Sequence, residues 1–267
     1  PILVQGYGLP LSIQTTLLMA GLGTLLFHVC TKFKVPAFLG SSFAYLGGFS
    51  TVASMPAYEG FDPELKLAYA LGGIVIAGLL YLVLALIIRL VGVKKVMRYL
   101  PPVVTGPVII CIGLSLASSA IGNASTNWFL AFIALAVIIV FNIWGKGMFK
   151  IIPILMGVVI SYAAAVFMNV LGIKNPDGSA ILNFAPVAEA GLVGLPPLQL
   201  CKFDVTAILV MAPIAIATMM EHVGDMSAIS ATVGKNFLAD PGLHRTLLGD
   251  GLATAMAGIL GGPANTT

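Results

Sequence analysis

Val35-Pro-Ala-Phe-Leu-Gly-Ser-Ser-Phe-Ala-Tyr45 lies in a run apolar enough for a membrane, yet it is not built as a helix. Pro36 lacks a backbone N–H, and Gly40 costs more chain entropy in a helix than any other ordinary residue. The β-prone residues before Gly40 read as extended, and Ser41 or Ser42 as the cap of a short helix that follows. Gly261-Gly-Pro-Ala-Asn-Thr-Thr267 has the same grammar: glycine and proline, then small polar residues. Extended backbone at membrane depth is tolerated only where protein or a cavity satisfies its polar groups. Two such breaks, about 220 residues apart, point to equivalent elements of two repeats, the arrangement that marks a substrate site in secondary transporters. Gly40, Ser41, Asn265 and Thr266 would supply the backbone of the two broken segments. A pair of ordinary proline kinks is the alternative.

The rest of the chain supports a membrane setting. Of 267 residues, 59% are hydrophobic and 9% charged, whereas soluble domains are about a quarter charged. Too few charges are present to make a water-soluble surface. Thirty glycines and 16 prolines suit closely packed and broken membrane helices. The net charge of +3 is too small and scattered to suggest nucleic acid. Cys30, Cys111 and Cys201 show no metal-ligand spacing and read as small buried hydrophobes. No cofactor is implied, and the first residues lack the basic flank of a signal peptide.

Eight apolar stretches can be drawn, at 11–30, 36–55, 67–91, 103–122, 127–144, 149–172, 205–224 and 246–262. Most approach the roughly 20 residues that span a bilayer. Lys32, Lys34, Arg89, Lys94, Lys95, Arg98, Lys146, Lys150, Lys235 and Arg245 follow the odd-numbered stretches, so ten of the 13 Lys and Arg fall on one side. That side is cytoplasmic by the positive-inside rule. The other loops hold Lys66, Lys174 and Lys202 with most of the acids, including Glu59, Asp62, Glu64, Asp177, Glu189 and Asp204. On this parse the chain begins outside, without a start methionine, and stops in an apolar region. It is read as an internal fragment forming one transmembrane domain over 1–267, multi-pass in the cytoplasmic membrane.

The chemistry concentrates in Met219-Met-Glu-His-Val-Gly-Asp225. Glu221 follows an apolar run of the seventh stretch, and an ionisable residue at that depth is a functional hypothesis by default. Asp225 lies one turn on, on the same helix face. Two carboxyls there cannot both stay ionised at low cost, which is what proton coupling requires. The competing reading makes Glu221 a structural mark of the cytoplasmic helix end. His222 is off that face. Glu221, His222 and Asp225 could be combined as a metal site, but there is no HExxH motif or second nearby histidine.

The chain resembles the nucleobase–ascorbate transporter family, nucleobase:cation symporters, in its bacterial uracil permease branch. The residues that carry this are Ala20-Gly-Leu-Gly-Thr-Leu-Leu-Phe-His28, Val35 to Tyr45, Leu100-Pro-Pro-Val-Val-Thr-Gly-Pro-Val108, Glu221-His-Val-Gly-Asp225, Gly249-Asp-Gly-Leu-Ala-Thr254 and Gly261 to Thr267. They cover the chain in order. The resemblance implies an all-α polytopic fold of fourteen segments in two inverted sets of seven, with the third and tenth beginning as a short strand and continuing as a helix. This chain would run from the second segment to the start of the tenth. A nucleobase would sit between the two broken segments and the eighth helix. Glu221 would accept a hydrogen bond from a ring N–H, and Phe43, after Ser42, would offer its backbone N–H and ring. Glu221, Asp225 and His222 would couple protons. The Glu221-His222 pair speaks for uracil; Asp225 stands where purine transporters are often acidic, so xanthine or another purine is the alternative. A homodimer stays open. The class alternative, an intramembrane metalloenzyme, and an anion exchanger of the same architecture rank below; the resemblance implies a transporter, not an enzyme.

Overall fold

The computed structural model describes residues 1–98, 102–147, 149, 152–185 and 194–267, and within these not the side chains of 94, 97 and 102–105. Leu100 and Pro101 of the quoted proline motif, Lys150, Glu189 and the Lys94 side chain lie outside the described residues.

Membrane-length helices dominate. Five described helical stretches are long and apolar enough to cross a bilayer: Ile13–Cys30, Pro63–Val91, Gly106–Ala124, Pro153–Val170 and Val205–Val233. In chain order, leaving aside short helical turns, the main described elements are α1 (Ile13–Cys30), β1 (Gly40–Ser41), a 3-10 turn (Phe43–Tyr45), α2 (Leu46–Ser54), α3 (Pro63–Val91), α4 (Pro102–Ala124), α5 (Trp128–Trp144), α6 (Pro153–Val170), α7 (Val205–Met211), α8 (Ile214–Val233), α9 (Leu243–Ile259) and β2 (Asn265–Thr266). Their ends follow the local chemistry. Ser12 caps α1 by accepting from Thr15 N at 3.2 Å. Asn127 caps α5 by accepting from Leu130 N, and Asp204 caps α7 through Thr206 N and Ala207 N. Gly234, left-handed at φ 71°, ends α8.

The chain forms two compact units, Pro1–Gly113 with Leu195–Thr267, and Leu114–Gly194. In the first, α9 packs against α3 and α1, and small residues let the backbones approach. A methyl on Gly251 would lie 2.5 Å from Tyr81 Cβ and 2.8 Å from Gly78 O; one on Gly249 would meet Phe27 Cα at 3.1 Å. The loops of this unit gather at two ends, as the charge pattern expects. Lys34 pairs with Asp240 at 2.6 Å. At the other end the Tyr58 hydroxyl donates to Asp204, and Gln199 Nε2 donates to Glu64 O at 2.6 Å. The second unit is built around the hairpin α5–α6, where Gly157 lets Ile138 approach. No residue of α5 is buried.

One expected boundary moves. The apolar pattern puts the end of the seventh stretch at 224, but its helix runs on to Val233. Glu221, His222 and Asp225 lower the local hydropathy, so the apolar pattern stops before the helix does. Glu221 therefore lies inside a 29-residue span and not at its end. Pro213, which cannot donate to the helix ladder, separates α7 from α8 within that span.

Candidate functional site in the first unit

The two broken segments meet. β1 and β2 pair antiparallel, Gly40 opposite Thr266 and Ser41 opposite Asn265, and Ser42 N donates to Ala264 O at 2.9 Å. Each strand thus satisfies backbone groups of the other that lipid could not. Helix side chains hold the pair in place. Leu39 N donates to Thr24 Oγ1 at 3.0 Å. Asn265 Nδ2 donates to Met19 O at 2.7 Å, and Thr254 Oγ1 to Asn265 O at 2.6 Å. Gly23 leaves the space that the Asn265 amide fills, since a methyl there would lie 2.9 Å from Nδ2. After β1 the chain turns into the 3-10 helix, which packs on α8. Ser42 is buried, and the Phe43 ring is 61% exposed.

α8 brings its polar residues to this junction. Glu221 is half-buried, and its Oε2 is enclosed without a hydrogen-bond partner. Asp225 is also half-buried. His222 is buried: Nδ1 lies 2.9 Å from Thr267 Oγ1 and 3.2 Å from Asp250 Oδ2, and Nε2 lies 3.0 Å from Thr246 Oγ1. It ties α8 to α9 and to the residue after β2. Both ring nitrogens are thereby engaged, which leaves the metal reading of Glu221, His222 and Asp225 without a free nitrogen. Among the described residues, no three His, Cys, Asp or Glu side chains are placed to hold a metal ion.

Asp250 was not singled out from the sequence as a site residue, though it stands in the quoted Gly249-Asp-Gly-Leu-Ala-Thr254. It is fully buried in α9, close enough to His222, Glu221 and Asp225 to interact electrostatically. The signal was available: an acid within an apolar stretch deserves the same reading as Glu221. Tyr45 and Tyr81, fully buried, complete the cluster beside Thr218 of α8, their hydroxyls without a well-formed hydrogen bond. These two were hidden because tyrosine in an apolar run is ordinary.

Outside the spans, burial and then the Asp204 carboxylate push the Tyr58 hydroxyl up to about 12. The Tyr58 hydroxyl in turn holds the Asp204 carboxyl below the usual carboxylate range. This latch closes the end of the unit away from Lys34.

A sequence model described as "Permease family" matches residues 8–267. The chain belongs to this permease family. Among its curated relatives are the "Probable uracil permease" of Pasteurella multocida, 41% identical over 266 residues, covering 96% of this chain and 59% of the relative. The "Probable uracil permease" of Haemophilus influenzae is 41% identical over 263 residues (95% and 59%). The "Uracil permease" of Bacillus caldolyticus is 38% identical over 266 residues (94% and 57%). The chain thus spans less than three fifths of the length of these relatives. The uracil permease resemblance carried by the motifs is borne out, and with its apolar spans the permease is a multi-pass membrane protein, in bacteria of the cell membrane.

Proposed function

We propose that this permease carries a nucleobase, uracil, across the cell membrane together with a proton. The observation that carries the reading is the Glu221 carboxyl. It lies inside a membrane span, with one oxygen enclosed and unpartnered, on the helix that packs beside the paired broken segments. An unsatisfied acceptor at membrane depth is costly, and a ring N–H of a planar nucleobase relieves that cost. Ser42 and Phe43 start the short helix beyond β1; the Ser42 N–H is given to Ala264 O, and the Phe43 N–H at the helix start suits a carbonyl oxygen of uracil. The antiparallel pairing of β1 with β2 supports taking them as equivalent elements of two inverted repeats. Glu221, Asp225 and His222 form the proton-coupling group, since three titratable side chains within two helical turns exchange charge at low cost only when a proton or substrate compensates. The relatives' printed names point to uracil, and xanthine is the competing substrate to include in the assay.

The test is uptake into proteoliposomes by the full-length permease against an imposed pH gradient, with binding followed by calorimetry. Glu221→Gln removes a charge-assisted hydrogen bond of about 1.5–3 kcal/mol, so uracil binding falls about tenfold to a hundredfold and gradient-driven accumulation is lost. A Glu221→Gln permease that still concentrates uracil with the gradient would show that Glu221 is structural.

A further inference from the structure

A backbone amide inside a membrane needs a partner from the protein, and the Leu39 N–H, just before β1, finds one on α1. Leu39 is fully buried, and its N–H donates to Thr24 Oγ1 at 3.0 Å. An amide can only donate, so this bond has one direction. The Thr24 O–H is left for carbonyls: Ala20 O at 2.7 Å, with Leu39 O at 3.4 Å. The second broken segment is held from α9 in the same manner. Thr254 is fully buried, and its Oγ1 donates at 2.6 Å to Asn265 O, which can only accept. Each threonine thus sits on the helix preceding the segment it holds, 15 residues before Leu39 and 11 before Asn265. Each also follows a small residue, and those two residues meet: a methyl on Gly23 would lie 3.1 Å from Ala253 Cβ. The two anchors therefore flank one close approach of α1 and α9.

Both anchors bear on the same point. From Leu39 the chain enters β1, where Gly40 and Ser41 pair with Thr266 and Asn265. Ser42 N then donates to Ala264 O, the neighbour of Asn265, at 2.9 Å. Ser42 is the residue before Phe43, whose N–H faces a uracil carbonyl in the reading above. Glu221, the other group offered to the base, stands on α8, outside this ladder. A slip of β1 therefore changes the distance between two groups that a rigid, planar base has to meet together. Such groups need to be held within about 0.5 Å. Thr16, buried in the same helix, makes the contrast: its hydroxyl turns back to Ser12 O of its own helix start at 2.7 Å.

We propose that Thr24 and Thr254 are positioning residues of the nucleobase site, each holding the broken segment that follows its own helix and together setting the place of Phe43 relative to Glu221. Neither touches the substrate. Thr24 supplies the acceptor that keeps the Leu39 amide, and with it β1, against α1. Thr254 supplies the donor that keeps Asn265, and with it the Ala264 carbonyl that receives Ser42 N–H, against α9.

This rests on the nucleobase reading, and the experiment separates the two. Uracil and xanthine binding are measured by calorimetry on the folded fraction of the full-length permease, with thermal unfolding in parallel. Thr24→Val keeps the shape and removes the acceptor; Thr254→Val removes the donor. Each is expected to raise the Kd for uracil about tenfold, since small misplacements of binding groups are costly. Thr24→Ser and Thr254→Ser restore binding to within about twofold, and Thr16→Val leaves it unchanged. Valine variants that unfold more easily but bind uracil like wild type overturn the positioning role and leave the nucleobase reading standing. A second readout needs no substrate. Amide hydrogen exchange of the 37–43 and 261–267 peptides is expected to quicken in both valine variants, because the strands are paired. Unchanged exchange in both peptides overturns the claim that the threonines hold the strands. Wild-type permease that binds neither uracil nor xanthine refutes the nucleobase reading and the positioning role with it.

Discussion

The two units of this permease place their polar residues differently. In the unit Leu114–Gly194, α5 buries no residue, and its Phe129, Phe132, Ile143 and Trp144 side chains are exposed on it. Polar groups at its turns bond one another: Asn127 donates to Asn175 Oδ1 at 3.0 Å, and Ser179 donates to Asp177. The other unit also turns polar residues inward. α9 buries Thr246, Asp250 and Thr254 against α8, α3 and β2, while Leu17, Leu25 and Leu90 of α1 and α3 lie exposed. Hydrophobicity thus marks membrane depth in both units. The few polar residues that go inward mark the unit with the candidate site, because each needs a partner that lipid cannot offer.

Glycine substitutions test this contrast most severely. Gly251→Leu forces α9 away from Tyr81 and Gly78, and is expected to cost about 3 kcal/mol or more, enough to deplete folded protein. Gly122→Leu in the second unit meets open space and should stay within about 0.5 kcal/mol. Detergent-solubilised yield and thermal unfolding read both, and equal effects would erase the distinction between the units.

Next in size are the two asparagines that anchor each unit. Asn265→Ala deprives β2 of its bond to Met19 O, with an expected loss of about 1–3 kcal/mol and impaired uracil binding. Asn127→Ala removes a helix cap worth about 1 kcal/mol, with binding intact. A binding loss from Asn127→Ala as large as from Asn265→Ala would move the site out of the first unit.

The loop carboxylates give a smaller, pH-dependent comparison. The Tyr58 hydroxyl holds Asp204 low, and the Ser179 hydroxyl and amide hold Asp177 low. In both cases the folded form favours the ionised acid. Its contribution is present above the ordinary carboxylate range and is lost as pH falls through the depressed range. Asp204→Ala should lower stability at neutral pH by about 1 kcal/mol as a lost cap, and the difference from wild type should shrink in acid. Asp177→Ala should alter only the amide signals of the 175–180 turn. A global loss of stability from Asp177→Ala would show that this turn does more than close a loop.

The smallest effect is expected at the exposed Lys34–Asp240 pair, where Asp240→Ala should cost about 0–1 kcal/mol and less in high salt. A larger cost would make this contact a closure of that end of the unit.

Much of this could be read from the residues one by one. Pro36 and Gly40 disfavoured a regular helix, so an extended entry was visible in the sequence; Ser42 does stand at the start of the next helix, but without a side-chain cap bond. The alternation of Lys and Arg sorted the loops to the two ends that the Lys34 and Tyr58 contacts now display. Glu221 and Asp225 stood out because charge inside an apolar run is costly wherever it folds. The sequence could not reveal that Gly40 lies opposite Thr266, that His222 reaches Asp250 across two helices, or that Thr246 stands between Leu243 O and the imidazole. Nor could it reveal that α8 continues past its own polar residues. Local propensity and hydropathy act within a few residues along the chain, and those the sequence determined. Which polar groups satisfy one another across more than 200 residues depends on how the glycine-lined helices pack, and only the tertiary structure decided that.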